Sequence, residues 1–344
     1  MNKKGFTLVE LLAVIVILAI IALISTPIIL GVIEKARIGA AKQSTLGYID
    51  AVEKQIVYNQ VKENQTEIVD GTYTVEALEK LGVSIKGTIP NSGSVTIKNG
   101  TIKNYILGIG EYAVNNGKAT KVESTEKYAN GTAIYYNPET NKKCSESEAN
   151  KNVNENGTPT GIKTGCMKWY TFNDEEGKAT VNMILDHNTT TNVAWNSEGS
   201  NSEMKEVATA LSNDITNWDS SLNARLIEVN EIASITGNTT FNASKTGQSW
   251  FCLDTNRTDT TTWCSKTQGT SKYAWLFDYT KECTSYGCNK EESSTYGYWT
   301  STLYNDNSSR AWAVSRNGHL YYNIVSETDN GIRPVITVSK SIIY

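Results

Sequence analysis

Between Glu10 and Glu34 lie 23 residues without a charge, from Leu11 to Ile33, drawn mostly from Leu, Ile, Val and Ala. A helix needs ~20 residues to cross a hydrocarbon layer of ~30 Å, so this run is long enough to sit in a bilayer. Its flanks narrow the options. Lys3 and Lys4 precede the apolar segment 6–30 and hold the start of the chain on the cytoplasmic side, which directs everything after Leu30 outward. A secretory signal has an apolar core of only about 7 to 15 residues followed by small residues for cleavage. Here the small residue, Gly5, comes before the run. Glu10 is an acid at the edge of the apolar stretch, where a carboxylate is costly unless another group pairs with it. Pro27 removes a backbone donor and loosens the helix locally.

The string KKGFTLVELLAVIVILAIIALISTP resembles the N-terminus of type IV prepilins and pseudopilins. In that family a membrane peptidase cuts after the glycine and methylates the new N-terminus. The resemblance therefore implies cleavage after Gly5, methylation of Phe6, and a role for Glu10, whose partner would be the freed Phe6 amine of a neighbouring subunit. It implies prepilin peptidase and other pilin subunits as partners. The chain would span the inner membrane through residues 6–30 before assembly, then stand at the cell surface or in a pilus with its C-terminal domain extracytoplasmic.

Beyond the uncharged run the helical pattern continues to about Asn59, with Val32, Ile33, Ala36, Ala40, Ala41, Leu46, Ile49, Val52, Ile56 and Val57 at mixed three- and four-residue steps. Residues 1–5 are then a leader and 6–59 one long helix. Residues 60–127 read as a small β module. Asp70 to Tyr73 reads as a turn, and 74–82 as a short helix capped by Thr74 and stopped by Gly82. SVTIKNG, TIKNYILGIG and EYAVNNGKATKVE alternate with period two, and Asn99-Gly100 and Asn116-Gly117 supply tight turns.

Residues 128–344 form the second module, with 128–201 as its leading part. TAIYYN, CMKWYTF and ATVNMILD read as strands, and MKEVATALSNDITNW and SSLNARLIEVNEIASITG as helices with Leu226, Ile227, Val229, Ile232 and Ile235 at core positions. All six cysteines fall here, in three sequence-local couples: Cys144 with Cys166, Cys252 with Cys264, and Cys283 with Cys288. Disulfides in an oxidising compartment look like this, although six cysteines permit about 15 connectivities. Structural zinc asks for repeated C-x2-4-C couples, and only Cys283-x4-Cys288 comes near.

The region YGYWTSTLYNDNSSRAWAVSRNGHLYYNIVSETDNGIRPVITVSKS is similar to the C-type-lectin-like fold of the bacterial group that includes formylglycine-generating-enzyme relatives and the variable proteins of diversity-generating retroelements. The likeness rests on Trp299-Thr300-Ser301, a hairpin around Asn317-Gly318, and Gly331 to Val335 feeding a last strand. Trp299, Trp312, Gly331 and Arg333 read as framework, a tryptophan pair and an arginine tying the last strand to a loop. In the retroelement proteins the diversified positions precede the GIRPV-like end. Calcium-type sugar binding is not implied, because the Trp-Asn-Asp strand motif of that site is missing. The loop 254–259 lacks the turn glycine and distal glutamate of a calcium site. Formylglycine-generating chemistry needs a late cysteine pair, and no cysteine follows Cys288.

Catalysis has little to stand on. The chain has two histidines, His187 and His319, too few for a histidine cluster. Asp186 and His187 close an apolar run where adjacent strand residues point to opposite faces, so no dyad is expected. No phosphate-binding glycine loop and no cofactor motif are present, so no enzyme activity, metal or cofactor is expected. With 32 basic and 36 acidic residues, bulk charge argues against a nucleic-acid grip. Binding of a protein or glycan ligand remains. Tyr304, Asn305, Asp306 and Asn307, with Arg316, Asn317, His319, Tyr321, Tyr322 and Asn323, combine aromatic area with adaptable hydrogen bonding. The expected fold is α+β: a long N-terminal helix, a small antiparallel sheet and a C-type-lectin-like domain. The alternative is a structural pilin or pseudopilin whose large end domain binds nothing.

Overall fold

The computed structural model describes residues 8–62, 66–123, 126–150, 161–190, 192–238, 240–249, 251–252, 273–276, 297–315 and 319–344. Helix α1, Leu8–Val61, contains Pro27, and its 54 residues give a rod ~81 Å long. The Thr26 hydroxyl donates to the Ala22 carbonyl at 2.6 Å, one turn back. The fold class is α+β, with this helix followed by antiparallel sheets.

The two halves of α1 differ. From Leu8 to Ile33 its large apolar side chains are exposed, and it is long and apolar enough to cross a membrane. From Ala41 onward one stripe is buried: Ala41, Thr45, Tyr48, Val52, Ile56 and Asn59, spaced three or four apart as one helix face requires. The sequence pattern placed Leu46 and Val57 on the covered face, but both are exposed. Thr45, Tyr48 and Asn59 belong to it instead. Asn59 can be buried because its amide donates to the carbonyls of Thr66 at 2.8 Å and Leu81 at 3.2 Å.

The cover is an antiparallel meander of β1 (Gly71–Thr74), β2 (Ser92–Lys98), β3 (Thr101–Ile109), β4 (Tyr112–Asn115) and β5 (Lys118–Lys121). Helix α2 (Val75–Lys80) lies between β1 and β2, and Thr74 caps it by accepting from the Ala77 N–H. Asn99-Gly100 and Asn116-Gly117 make the expected turns with positive φ at all four residues, as the twist of a two-residue hairpin demands. The segment 70–73 is not a turn: Gly71–Thr74 pairs with Ser94–Ile97 of β2, and only Asp70 keeps a turn function, accepting from the N–H groups of Asn99 and Gly100.

The second sheet, ordered β15-β9-β8-β6-β7, joins β6 (Ala133–Asn137), β7 (Lys142–Lys143), β8 (Met167–Phe172) and β9 (Thr180–Leu185) to the last strand, β15 (Val335–Ser339). Residues 133–185 and the C-terminus thus share one sheet. The third sheet contains β10 (Phe251–Cys252), β11 (Gly297–Leu303), β12 (Arg310–Val314), β13 (His319–Ile324) and β14 (Asn330–Gly331), in the order β10-β13-β12-β11-β14. Helices α3 (Lys205–Asp214) and α4 (Val229–Thr236) pack around it, and α5 (Lys340–Ile343) follows β15. The second helix was expected from about residue 220, but it begins only at Val229. Residues 225–227 spend their backbone hydrogen bonds on β15 and β11: Arg225 exchanges two with Val335, and the Ile227 carbonyl accepts from Ser301.

Cys144 and Cys166 are bonded, with Cα atoms 6.2 Å apart, and closing a loop of this size contributes roughly 3 kcal/mol in the chain-entropy model. Of the other two couples, Cys252 lies in the strand Phe251–Cys252, and Cys264, Cys283 and Cys288 lie outside the described residues.

Two framework expectations meet different outcomes. Trp299 and Trp312 are both fully buried but are not a pair. They lie on opposite faces of the third sheet, Trp299 edge-on to Trp195 and Trp312 against Phe241, Tyr304 and Tyr322. Arg333 does tie the last strand to a loop. Its guanidinium, fully buried, donates to the carbonyls of Leu185 (2.6 Å), Leu276 (2.5 Å) and Trp275 (2.6 Å), and it lies 5.2 Å from the Tyr298 ring. Those three directions match a planar fork and not an ammonium group. Arg333→Lys should therefore lower unfolding stability by roughly 3 kcal/mol despite keeping the charge, read as a shifted denaturation midpoint of the full chain in detergent.

Candidate functional site

The third sheet is covered on both sides, and this divides the residues expected to bind. Along β13 side chains alternate, so Leu320 and Tyr322 join the core that contains Trp312 and Tyr298, while Tyr321 packs against the core around Trp299 and Trp195. Tyr304 belongs with Tyr322: their rings stack at 4.1 Å with planes 16° apart, and both stand edge-on to Trp312. The Arg310 guanidinium lies 5.2 Å from the Tyr322 ring. His319 is buried beside Tyr321, and burial pushes its pKa down to about 4, so the ring is neutral at neutral pH. The Tyr321 hydroxyl reaches Asn330 at 3.3 Å, and the Asn323 amide donates to Asp329 at 2.7 Å. Arg316 and Asn317 lie outside the described residues.

One continuous face remains on the Tyr304 side. Asn305, Asp306, Asn307 and Ser308 are exposed at the tip of the β11–β12 turn. The turn is held largely from elsewhere in the chain. Asn201 is buried beneath it, and its amide donates to the carbonyls of Tyr304 (3.0 Å), Asn307 (3.2 Å) and Arg310 (2.6 Å), while its backbone N–H donates to Ser308 (2.7 Å). An amide has two N–H groups, so three acceptors mean one shared bond. Two further clamps come from 243–247: Asn305 donates to the Ala243 carbonyl at 2.9 Å, and Asp306 accepts from the Gly247 N–H at 2.7 Å. Burial first, and hydrogen bonding to Asp306 second, push the Tyr304 hydroxyl up to about 12. The turn is thus a rigid backbone presenting short polar side chains beside a partly buried aromatic stack.

Asn201, Arg310 and the 243–247 segment were not foreseen. Arg310 sits next to the expected loop, but nothing local marks Asn201, which lies about a hundred residues away from the carbonyls it holds.

Asp186 and His187 also depart from expectation. Strand β9 ends at Leu185, the chain bends, and the two side chains meet, His187 Nδ1 against Asp186 Oδ1. The other ring nitrogen faces the Ile162 carbonyl at 2.5 Å, so a backbone oxygen stands where a catalytic hydroxyl or thiol would have to be. Among the described residues no cluster of three or more His, Cys, Asp or Glu side chains is placed to hold a metal ion.

Residues 1–26 match the family model described as the prokaryotic N-terminal methylation motif. Comparison with curated proteins and with solved structures found no match. The motif, continuous with the exposed apolar half of α1, gives the chain a type IV pilin-like N-terminus; it supports a pilin-like surface protein and implies processing by prepilin peptidase and assembly with pilin subunits. Gly5 and Phe6 lie outside the described residues, and Glu10 lies in the first turn of α1.

If Asn201 positions the β11–β12 turn, Asn201→Ala should speed backbone amide exchange across 304–310 by about tenfold, the equivalent of ~1.4 kcal/mol for lost buried hydrogen bonds. Exchange in β8 and β9 should stay as it is. Unchanged exchange in 304–310 would show that the turn holds itself.

Proposed function

We propose that this chain is a subunit of a type IV pilin-like filament whose C-terminal module, of C-type-lectin-like type, stands outside the cell and binds a protein or glycan ligand through the Tyr304–Asn307 turn. The observation that supports the reading is the construction of that turn. Its backbone is fixed by Asn201 and by 243–247, so the exposed tip is ordered before any ligand arrives and binding loses little conformational entropy. No catalytic step is assigned to the chain. Variation at Asn307 and Ser308, of the kind retroelements introduce, would leave the clamps from Asn201 and 243–247 in place, whereas the side chains of Asn305 and Asp306 are themselves part of them; a reverse-transcriptase gene beside a repeat of the last codons would support that history.

A structural subunit with a large spacer domain is the second reading. It is favoured by the tyrosines themselves: Tyr322 is stacked on Tyr304 and covered by Arg310, and Tyr321 serves the other core. These rings carry stability rather than recognition, as a spacer needs.

Two measurements decide. Mass spectrometry of exported protein should find a mature chain beginning at N-methylated Phe6, whereas an intact Met1 terminus on surface material would remove the pilin reading. A glycan-array and cell-surface binding screen should find a ligand that survives chelator. The double variant Asn307→Ala, Ser308→Ala, which leaves the Asn201 and 243–247 clamps in place, should weaken its binding by roughly 1 to 3 kcal/mol without unfolding the protein. Binding to nothing would favour the spacer.

A further inference from the structure

The small β module and the C-terminal domain meet across a seam made of hydroxyl and amide groups. On β2, Val95 and Ile97 face α1, while Ser92, Ser94 and Thr96 face the other way. There Ser94 bonds Thr337, Thr180 donates to Ser92, and Asn223 accepts from Thr96 and donates to the Ser94 carbonyl. Residues 223–231 lie at one end of this seam and hold both sides: Thr72 of β1 donates to the Ala224 carbonyl at 3.3 Å, and the Arg225 backbone bridges to Val335.

Charge is concentrated at the same point. Arg225 is buried and forks onto Glu231, with bonds of 2.7 and 2.6 Å. Both its terminal nitrogens are committed to that carboxylate. Glu228 stands at the N-cap of α4, its backbone N–H donating to Glu231 at 2.9 Å. The charges that act on its carboxyl are Glu231 and Arg225 of its own segment and Lys80 and Glu76 of α2, and its own charge acts on Tyr73 of β1. Glu76 and Lys80, one turn apart on α2, belong to the other module. Fully ionised, the cluster would hold three carboxylates against two cations.

We propose that this junction is a pH-responsive latch between the two modules, closed while Glu228 carries its proton and loosened once Glu228 ionises. Burial, and then the negative charge of Glu231, push the Glu228 carboxyl up to about 7, against the opposing pull of Arg225 and Lys80. A carboxyl whose pKa is higher in the folded than in the unfolded chain favours the folded state while protonated. Its contribution is complete below the ordinary carboxylate range and is lost as pH rises through about 7. Loss of the proton sets Glu228 against Glu231 at the end of the seam, where Thr72 of β1 meets the Ala224 carbonyl. The latch does not depend on any ligand.

Amide hydrogen exchange of the full chain in detergent tests it, with rates corrected for the intrinsic effect of pH. Protection of 71–76 and 223–231 should fall about tenfold between pH 6 and 8, while β8 and β9 stay constant. Glu228→Gln should keep protection throughout. Should that variant not fold, the rim charges serve: Glu76→Gln should move the midpoint to lower pH and Lys80→Met to higher pH. A flat wild-type profile, the same fall in Glu228→Gln, or midpoints that ignore both rim changes would overturn the latch.

Discussion

The rest of the structure depends on the uncovered first half of α1. From Leu8 to Ile33 the helix exposes its large apolar side chains, with no sheet to cover them, a surface that water does not tolerate on a folded chain. Lipid or other helices must supply the missing contact. Cover of its own begins near Glu34, whose carboxylate accepts from the Tyr112 hydroxyl at 3.0 Å. It continues with Ile38 and Ala41 against Ile109, Tyr112 and Val114. Where the first charge after the run appears, the partner of the helix changes from its surroundings to its own sheet.

That sheet then has to serve two neighbours of opposite character. The period of two along β2 does so: apolar side chains dock on the helix, and hydroxyls dock on the C-terminal domain. An apolar seam would hold the modules as strongly but would permit small slips. Hydrogen bonds between buried side chains are directional, and each one left unmade is costly. The seam is therefore a device for orientation, and placing a titratable carboxyl at its end makes that orientation conditional.

Much of this was legible in the residues. The apolar run, the Thr74 cap, the paired Asn-Gly turns and the seven longer strands between 92 and 185 follow from local chemistry and periodicity. The failures share a cause. Gly71 to Thr74 has turn composition but lies beside a strand with free ladder positions. Arg225 to Ile227 has helical spacing but spends its backbone on strands more than seventy residues away. Asp186 and His187 would point apart if β9 continued, and it stops one residue earlier. In each case a tertiary hydrogen bond overrode a local preference.

The candidate site shows the same limit from the functional side. Composition singled out tyrosine, asparagine and histidine, because such side chains suit a binding face. It could not show that the two faces of one strand would send Tyr321 and Tyr322 into different cores, or that His319 would be buried. The residue that organises the turn, Asn201, has the same type as its exposed neighbours and differs only in what lies above it. Division of labour follows from that geometry: partly buried rings, one buried amide and the side chains of Asn305 and Asp306 fix the backbone, and Asn307 and Ser308 stand exposed beyond those clamps. A turn built this way can change Asn307 and Ser308 and keep its clamps, whereas a change at Asn305 or Asp306 gives up a hydrogen bond that holds its shape.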